Sequence, residues 1–369
     1  MPHHMKYGDH KKVTTSTNIF EGKRILITGG TGSLGKTLAR RLLTGRHGRP
    51  ARVTIFSRDE AKQHEMRLSF HQMAVATEEI IYRDAMQLLN FHIGDVRNFH
   101  SISSALRNVD VVFNAAALKQ VPNCEYFPYE AISTNVTGPE NIVRAIETLA
   151  LPVETVVGVS TDKACKPINV MGMTKAVQER VFITGNLRCP NTRFICVRYG
   201  NVLASRGSVI PLFHHQIRHG GPVTITTTEM TRFLLSLEQA IDTIIAAYSE
   251  GRLGEVFIPR IPSSLITNIA KALIGERDIS TKVIGIRPGE KIHEILVAED
   301  EAYRTVSRGN YYVIKPILPE LDPDPHEASA LPGEYSSKTE LMGLEQTIQV
   351  IKTNQLMIED VPNFGELLR

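Results

Sequence analysis

A short apolar strand, a glycine-rich turn and a helix follow one another near the start of the chain and constrain its fold most strongly. Residues 23–28 form an apolar run of the kind that makes a buried parallel strand. Gly29, Gly32 and Gly35 follow it, and leucines recur on one stripe from Leu34 to Leu43. The first glycine permits a tight turn, the second lets a pyrophosphate approach, and the third lets the helix pack on the strand. The pattern therefore predicts a dinucleotide site with phosphates at the helix N-terminus.

Strands and helices continue to alternate up to residue 200. Apolar runs predict further strands at 52–56, 90–93, 109–114, 154–159 and 193–198. Helical periodicity predicts helices at 140–150 and 169–182, and the polar insert 59–89 is compatible with a helix. Strands that alternate with helices predict an α/β fold with a doubly wound parallel sheet and right-handed crossovers.

Four segments are expected along the chain. Residues 1–19 are interpreted as a flexible leader, and 20–200 as the nucleotide-binding Rossmann domain. Glycine and proline become more frequent in 201–318, which predicts a smaller substrate-binding region that can interleave with the first domain. A proline-rich linker leads into a C-terminal tail, 319–369, with one helix predicted near 341–353.

Composition excludes several classes of protein. The formal net charge of the 369 residues is +3 and no basic block contains interleaved aromatics, so no nucleic-acid partner is expected. The four cysteines and the histidines have no metal-ligand spacing, so no metal site is expected. Unpaired cysteines suit a reducing compartment, and neither a signal-peptide core nor a membrane-spanning apolar run is present. A cytoplasmic location without membrane contact is expected.

The predicted cofactor contacts surround the glycine turn and the ends of the next strands. Ser57 and Arg58 follow the second strand, where an acidic residue would bind the 2′-hydroxyl of NAD; a guanidinium instead favours the 2′-phosphate of NADP. Asp59 comes next, so NAD stays possible. Asp95 is placed either to touch the adenine or to form a turn. The predicted set is Gly29, Thr31, Gly32, Ser33, Leu34, Gly35, Ser57, Arg58, Asp95, Val96, Ala115, Ala116 and Lys175.

An acid and an amine stand side by side after the fifth predicted strand. The stretch 160–164 reads Ser-Thr-Asp-Lys-Ala, and Met171 and Lys175 follow on the next helix, one turn apart. Taken alone, Asp162 and Lys163 favour a surface pair that caps a loop. In the context of the motifs around them, they favour acid–base chemistry.

Residues 22 to 300 resemble the extended short-chain dehydrogenase/reductase family. The resemblance rests on the order and spacing of separate motifs: the glycine turn, residues 114–122, 134–138, 160–163, 198–211, 230–233 and 287–291. Within that family the chain is similar to the soluble, C5-inverting UDP-N-acetylglucosamine 4,6-dehydratases of bacterial capsule and O-antigen synthesis. Residues 334–337 resemble the C-terminal extension of that branch more loosely.

The resemblance implies a reaction in three stages. NADP takes hydride from C4 of the hexose, water is lost across C5 and C6, and the hydride returns to C6. Lys163 is then the C5 base, provided that burial and nearby positive charge lower its pKa. Asp162, kept protonated by a buried pocket, is the acid for the leaving hydroxyl, and Thr161 binds the C4 oxygen.

Met171 departs from the wider family, in which a tyrosine at this position takes the C4 hydroxyl proton. A thioether carries no proton, so Met171 cannot do so. Either Lys163, or a water held by Thr161 and Lys175, is the C4 base, or the first step has been lost. The capsule-type branch is similar at this position, which favours the first explanation, with Lys175 still holding the nicotinamide ribose. Met171 is expected to fill space beside the sugar or to cover it.

The resemblance also implies the contacts of a UDP-sugar substrate. Arginines suit a pyrophosphate because a guanidinium can donate two parallel hydrogen bonds to two oxygens, and a glutamate suits ribose hydroxyls. For each of these arginines and the glutamate, an ordinary salt bridge within the protein is the alternative interpretation. Lys119 is expected to face the sugar. The predicted set is Lys119, Asn201, Arg206, Ser208, Val209, Arg287 and Glu290. The helices beside the fourth and fifth strands commonly pair in this family, so a homo-oligomer is expected.

Three other functions remain open. A UDP-hexose 4-epimerase needs the same C4 oxidation but no acid–base pair for C5 and C6, and it usually keeps the tyrosine. A retaining dehydratase commonly carries Asp-Glu where this chain has Asp162 and Lys163. A non-catalytic NADP-binding protein would explain Met171, but it would not need the full set of substrate contacts.

Overall fold

A central nine-stranded sheet organises the computed structural model, which describes residues 18–76, 87–203 and 208–361. The strands are β1 Arg24–Thr28, β2 Arg52–Ser57, β3 Leu89–Ile93, β4 Val111–Asn114, β5 Thr155–Thr161, β6 Arg193–Tyr199, β7 Val223–Ile225, β8 Thr231–Phe233, β9 Val256–Pro259, β10 Ser263–Leu265, β11 Thr281–Val283, β12 Ile295–Val297, β13 Thr305–Arg308, β14 Tyr311–Ile314 and β15 Tyr335–Ser336. The sheet order is β13-β14-β9-β6-β5-β4-β1-β2-β3. Seven strands from β9 to β3 are parallel, and β14 and β13 extend the sheet antiparallel.

Helices cover both faces of this sheet. They are α1 Ser33–Leu43, α2 Glu60–Ala76, α3 Phe99–Leu106, α4 Val121–Tyr126, α5 Pro128–Ile132, α6 Gly138–Leu149, α7 Val170–Arg188, α8 Val209–Arg218, α9 Leu237–Glu250, α10 Ile266–Ile274, α11 Glu299–Ala302 and α12 Leu344–Thr353. A π-helical turn covers Ser133–Thr137, and short 3₁₀ turns cover Asp162–Ala164 and Pro319–Leu321. Helix α6 packs between α3 and α7, whereas α1 packs against α9. The predicted doubly wound parallel sheet is confirmed.

The strands are buried because their sequences are almost continuously apolar, as expected where helices cover both faces. In β1, Ile25, Leu26 and Ile27 are at most 1% exposed. The chain runs from β1 outward to β2 and β3, and then returns to β4 on the other side of β1. This reversal leaves a crevice beyond the carboxyl ends of β1 and β4, where ligands bind in open α/β sheets.

A second apolar core lies in the predicted substrate region. It joins α8, β7 and α10 with α12 from the C-terminal segment, whose Ile351 is fully buried. Strand β15 pairs with β12, and the hydroxyl of Tyr335 is 3.1 Å from both the backbone nitrogen and the carbonyl oxygen of Ile261. Within residues 319–361 the chain therefore folds back onto the substrate region. Strands β9, β13 and β14, from the segment 201–318, belong to the main sheet.

Candidate active site

The glycine turn between β1 and α1 leaves no room for side chains at two of its positions. A Cβ on Gly29, whose φ is +65°, would lie 2.7 Å from the nitrogen of Ala116, and one on Gly35 would lie 2.5 Å from the Cα of Gly30. At Gly32, the N-cap of α1, the nearest atom would be 3.3 Å away, and no side chain caps the helix. The first turn of α1 therefore keeps its N–H groups for an anion such as a pyrophosphate.

Polar groups line the crevice between β1 and β4. The hydroxyl of Thr28 donates to Asn114 Oδ1 over 2.7 Å and accepts from the nitrogen of Ala116 over 3.3 Å. Asn114 Nδ2 and, on the π-helical turn, Thr134 Oγ1 are buried without a hydrogen-bond partner among the described residues. Native proteins rarely leave buried polar atoms unpaired. Together with the glycine turn, these atoms fit a dinucleotide in the crevice.

Arg58 and Asp95 lie together just beyond the carboxyl ends of β2 and β3. The Arg58 guanidinium is 3.7 Å from Asp95 Oδ2, and its side chain is 52% exposed. Arg97 holds Asp95 through its backbone nitrogen and its guanidinium. Burial opposes ionisation of Asp95, but the contacts with Arg97 outweigh it and hold its pKa below the ordinary value. Arg58 therefore stays accessible to an anion at the end of β2, and Asp95 is fixed as a carboxylate.

The predicted acid–amine pair lies at the end of β5, where a 3₁₀ turn follows. Thr161 donates its hydroxyl to Asp162 Oδ1 over 2.7 Å, and Lys163 Nζ donates to the same oxygen over 3.1 Å. The Asp162 side chain is 1% exposed and the Lys163 side chain 22% exposed. Asp162 Oδ2 is buried without a hydrogen-bond partner among the described residues. The pair is thus held at the carboxyl end of the central strand β5. Asp162 Oδ2 is left available to a hydrogen-bonding group of a ligand.

Glu294, just before β12, completes this cluster and was not predicted from the sequence. Lys163 Nζ donates to Glu294 Oε1 over 3.3 Å, and Arg232 Nε lies 3.8 Å from the same oxygen. Glu294 is 2% exposed, and its Oε2 also lacks a hydrogen-bond partner within the described part of the chain. We call Asp162, Lys163, Glu294 and Arg232 the acid–amine cluster.

The acid–amine cluster distributes charge unevenly. Burial raises the pKa of Asp162, because contact with Lys163 does not offset the lost hydration and the repulsion from Glu294. Burial alone would lower the pKa of Lys163, but Asp162 and Glu294 outweigh it and raise that pKa. Burial also opposes ionisation of Glu294, yet Lys163 and Arg232 hold its pKa below the ordinary value. The lowered pKa on which the role of Lys163 as base depends is therefore not present in the free protein, whereas a protonated Asp162 agrees with its environment.

Lys175 is buried at the foot of the crevice. Its Nζ donates to the carbonyl oxygen of Val159 and to Gln178 Oε1, both over 2.6 Å. Burial lowers the pKa of Lys175 to about 8. The amine is therefore fixed in position, and at neutral pH it is still mostly protonated but loses its proton more readily than an ordinary lysine.

Met171 lies on the same helix but packs into a small apolar cluster with Cys124 and Ala131. It is 4% exposed. The helix begins at Asn169, whose side chain accepts from the nitrogen of Gly172 and donates to the carbonyl oxygen of Gly289. The thioether thus fills space between α7 and helices α4 and α5.

Asn135 fixes the loop that carries Lys119. Its amide accepts from the nitrogen of Leu118 over 2.8 Å and donates to the Leu118 carbonyl oxygen over 2.9 Å and to Thr174 over 3.0 Å. Lys119 itself is exposed.

The predicted UDP contacts fall on three segments. Asn201 Oδ1 and Ser208 Oγ are buried without a hydrogen-bond partner among the described residues, and Val209 begins α8. Arg287 and Glu290 face one another over 3.9 Å on a turn, and the Arg287 side chain is 56% exposed. Arg206 lies outside the described residues. The unpaired oxygens and the exposed guanidinium fit a polar, anionic ligand.

A second buried ion cluster stands next to the first. Arg198 on β6 donates to Glu179 over 2.6 and 3.1 Å and to Glu301 over 2.7 and 3.0 Å. Ser160 donates to Glu179 Oε1 over 2.5 Å, and Cys165 donates its thiol to Glu301. Every carboxylate oxygen of this set has a donor. We call Arg198, Glu179 and Glu301 the arginine cluster.

The described residues contain neither a metal-binding cluster nor a membrane-spanning helix. Among residues 18–76, 87–203 and 208–361, no three His, Cys, Asp or Glu side chains are grouped so that they could hold a metal ion. None of the helices in that same part of the chain is long and apolar enough to cross a membrane.

Comparison with known proteins places this geometry in a family. The model of the polysaccharide biosynthesis protein family matches residues 25–316. A UDP-glucose 4-epimerase of Rickettsia typhi is 40% identical over 357 residues, which cover 94% of this chain and 100% of that protein. An inverting UDP-N-acetylglucosamine 4,6-dehydratase of Campylobacter jejuni is 42% identical over 323 residues, covering 87% of this chain and 91% of that protein.

A solved structure has the same fold over almost the whole chain. Pen from Bacillus thuringiensis superposes with a TM-score of 0.80 at 34% sequence identity. The match covers 92% of this chain and 99% of that protein. The match therefore extends beyond the residues up to 200 into the segment 201–318 and the folded-back C-terminal segment.

Proposed function

The chain belongs to the polysaccharide biosynthesis protein family, with an extended short-chain dehydrogenase/reductase fold, and from this premise we propose that it is a C5-inverting UDP-N-acetylglucosamine 4,6-dehydratase. Relatives of both kinds, at 40–42% identity, support a nucleotide-sugar dehydratase or epimerase. The buried acid–amine pair of Asp162 and Lys163 is the observation that favours the dehydratase. Removal of water needs an acid at the C6 oxygen and a base at C5, and these two groups are fixed side by side.

NADP is the proposed cofactor. The glycine turn and the uncapped N-terminus of α1 suit its pyrophosphate, and the accessible Arg58 suits a 2′-phosphate. Lys175 is proposed to hold the nicotinamide ribose. Bound NADP supplies the hydride acceptor for C4 and the hydride donor for C6. The cofactor released by denaturing the purified protein, measured by separate NADP and NAD assays, tests the choice.

Asp162 is proposed to protonate the leaving C6 hydroxyl. Its raised pKa keeps a proton on the carboxyl, and its unpaired Oδ2 is the atom available to a ligand. As the C6–O bond breaks, that proton leaves with the oxygen as water, and Asp162 becomes a carboxylate beside the Lys163 ammonium.

Lys163 is proposed to take the C5 proton. Because the free protein holds it as an ammonium, it must release one proton before it can accept another, and Glu294 Oε1 lies within reach. The C4 base is proposed to be Lys163 or a water held by Thr161 and Lys175. Met171 is packed among apolar side chains and has no proton to exchange.

UDP recognition is proposed for Asn201, Arg206, Ser208, Val209, Arg287 and Glu290, with Lys119 facing the sugar. The unpaired Asn201 and Ser208 oxygens and the exposed Arg287 support this assignment. We further propose a cytoplasmic enzyme of capsule or O-antigen synthesis that forms a homo-oligomer. Exposed aromatic side chains on α4 and α5, Tyr126, Phe127 and Tyr129, give the copies an apolar surface to pair through.

Incubation with UDP-N-acetylglucosamine in deuterium oxide, followed by mass spectrometry and proton NMR, tests the proposal. We expect loss of one water, one solvent deuterium at C5, and an L-configured 4-keto-6-deoxy product. The same product with C5 configuration retained would move the assignment to a retaining dehydratase. Binding without water loss or exchange at C5 would overturn the dehydratase.

A UDP-hexose 4-epimerase is the second candidate, because the Rickettsia typhi relative of that name matches over its full length. An epimerase would interconvert UDP-glucose or UDP-N-acetylglucosamine with the C4 epimer and release no water. The same NMR assay separates the two functions, since only the dehydratase exchanges the C5 proton.

A further inference from the structure

The Lys163 ammonium lies between two buried carboxyl groups, Asp162 and Glu294, and Arg232 lies beside the second of them. Its Nζ is 3.1 Å from Asp162 Oδ1 and 3.3 Å from Glu294 Oε1. The backbone on either side fixes this arrangement. The nitrogen of Glu294 donates to Ser337 Oγ over 2.9 Å, and the nitrogen of Ser337 donates to the Glu294 carbonyl oxygen over 2.8 Å.

The surrounding charges decide which carboxylate is ionised. Glu294 faces Lys163 and also Arg232, whose Nε is 3.8 Å away, with Lys291 contributing from further off. Asp162 faces Lys163 as its nearest cation, Lys291 from further off, and Glu294 as a like charge, and Arg232 is the additional cation beside Glu294. Two buried carboxyls that share an ammonium do not both ionise readily, so the proton goes to the one with fewer cations around it. That one is Asp162.

We propose that Glu294 is a positioning residue: it carries the negative charge that pairs with Lys163, and so lets Asp162 keep its proton as the acid. This inference rests on the proposed function, since it explains how the acid of that reaction stays neutral beside an amine. The surroundings of Asp162 fit a neutral acid, because its unpaired Oδ2 can carry an O–H that donates to a substrate. Those of Glu294 fit a carboxylate, because Lys163 and Arg232 lie beside it.

An ionised Glu294 is also an acceptor for the Lys163 proton. If an ammonium N–H bond breaks and an O–H bond forms on Glu294, both groups become neutral and the proton of Asp162 is not consumed. Lys163 then has the lone pair that removal of the C5 proton requires. The cluster thus reaches its reactive form by an internal proton shift, without a proton from solvent.

Infrared spectroscopy of the holoenzyme tests the charge assignment directly, through the carbonyl stretch of protonated carboxylic acids. At neutral pH we expect a band in the wild type that is absent from Asp162→Asn. In Glu294→Gln, Asp162 becomes the ionised partner of Lys163, so the band disappears and returns only at lower pH. Glu294→Asp keeps the charge and is expected to keep the band. A band unchanged in Glu294→Gln would overturn the proposal.

Two further variants serve as a control for this experiment and as a substitute for Glu294→Gln. Glu299→Gln changes an exposed acid five residues along the chain and is expected to leave both band and activity unchanged. If Glu294→Gln does not fold, Arg232→Met removes the second cation near Glu294, so part of the proton moves from Asp162 to Glu294 and the band is expected to shift in frequency. An Arg232→Met spectrum identical to the wild type would overturn the proposal equally.

Activity gives a second, separable readout. In Glu294→Gln we expect kcat at neutral pH to fall by about 10- to 100-fold with little change in KM. Lowering the pH should restore the infrared band but not the activity, because Lys163 stays protonated without Glu294 as its acceptor. Glu294→Asp, which keeps that acceptor, is expected to retain most of the activity, whereas a merely structural loss would leave the pH dependence of the band unchanged. If the wild type releases no water, the proposed function fails, while the infrared spectra still decide the charge assignment.

Discussion

The acid–amine cluster and the arginine cluster both bury two carboxylates with a cation at the same edge of the sheet, but only the arginine cluster is satisfied. Arg198 gives donors to both of its acids, and every carboxylate oxygen there has a partner. In the acid–amine cluster, Asp162 Oδ2 and Glu294 Oε2 have none among the described residues. Fully satisfied buried networks rigidify a fold, whereas unpaired buried groups cost stability and leave atoms for a ligand. The contrast separates a structural ion cluster from a chemical one.

The largest expected effect comes from breaking the arginine cluster. Arg198→Met leaves Glu179 and Glu301 buried without their cation, so we expect the free energy of unfolding to fall by about 3–5 kcal/mol. Urea unfolding followed by circular dichroism measures it. Lys23→Met is the matched control, because it removes an exposed pair with Glu154 and should cost about 0–1 kcal/mol. Equal costs for the two variants would contradict the structural role of Arg198.

In the acid–amine cluster, replacing a charged or acidic side chain should lower catalytic activity rather than stability. Asp162→Asn keeps the shape of the side chain but removes the acid, so we expect kcat to fall by about 100- to 10,000-fold. Because Asp162 is a buried carboxyl with an unpaired oxygen, stability should stay equal or rise. Turnover of UDP-N-acetylglucosamine and urea unfolding are measured on one preparation. A variant that loses stability together with activity would place Asp162 with Arg198 as a structural residue.

The sequence predicts the parts of this comparison that are local. The glycine turn and β1 come from neighbouring residues, and the structure matches their predicted bounds within one residue. Asp162 and Lys163 were found because they are adjacent in the chain. Glu294 comes from a segment far along the chain with no local pattern to mark it, and Arg232 lies in the motif 230–233, for which no role is predicted from the sequence. The sequence therefore could not show whether the pKa of Lys163 is lowered, since Glu294, which helps raise that pKa, approaches Lys163 only in the folded chain.

The pH dependence of stability should have opposite slopes in the two clusters. Burial opposes ionisation of Glu301, but Arg198 outweighs it and lowers the pKa of Glu301 from 4.5 to about 2. Its contribution, on the order of 3 kcal/mol, is present above pH 4.5 and is lost as the pH falls toward about 2. The pKa of Asp162 is raised above 3.8, so its contribution is present below pH 3.8 and is lost as the pH rises through the raised value.

Urea unfolding across the acid range, on wild type, Glu301→Gln and Asp162→Asn, measures these slopes. The stability difference between wild type and Glu301→Gln should shrink as the pH falls. Relative to the wild type, Asp162→Asn should gain stability as the pH rises. Parallel slopes for the two variants would mean that both acids are ionised in the folded protein, and the comparison would fail.

The smallest effects come from Ser160 and Thr161, adjacent hydroxyls at the end of β5 that serve different clusters. Ser160 donates to Glu179 over 2.5 Å, so Ser160→Ala should cost about 1.5 kcal/mol of stability and leave kcat nearly unchanged. Thr161 donates to Asp162 over 2.7 Å, so Thr161→Val should lower kcat about fivefold, equivalent to about 1 kcal/mol, at nearly constant stability. Because the two residues share one strand end, a general disturbance of β5 would affect both measurements in both variants. If the two clusters have separate roles, Ser160→Ala changes stability without changing kcat, and Thr161→Val changes kcat without changing stability.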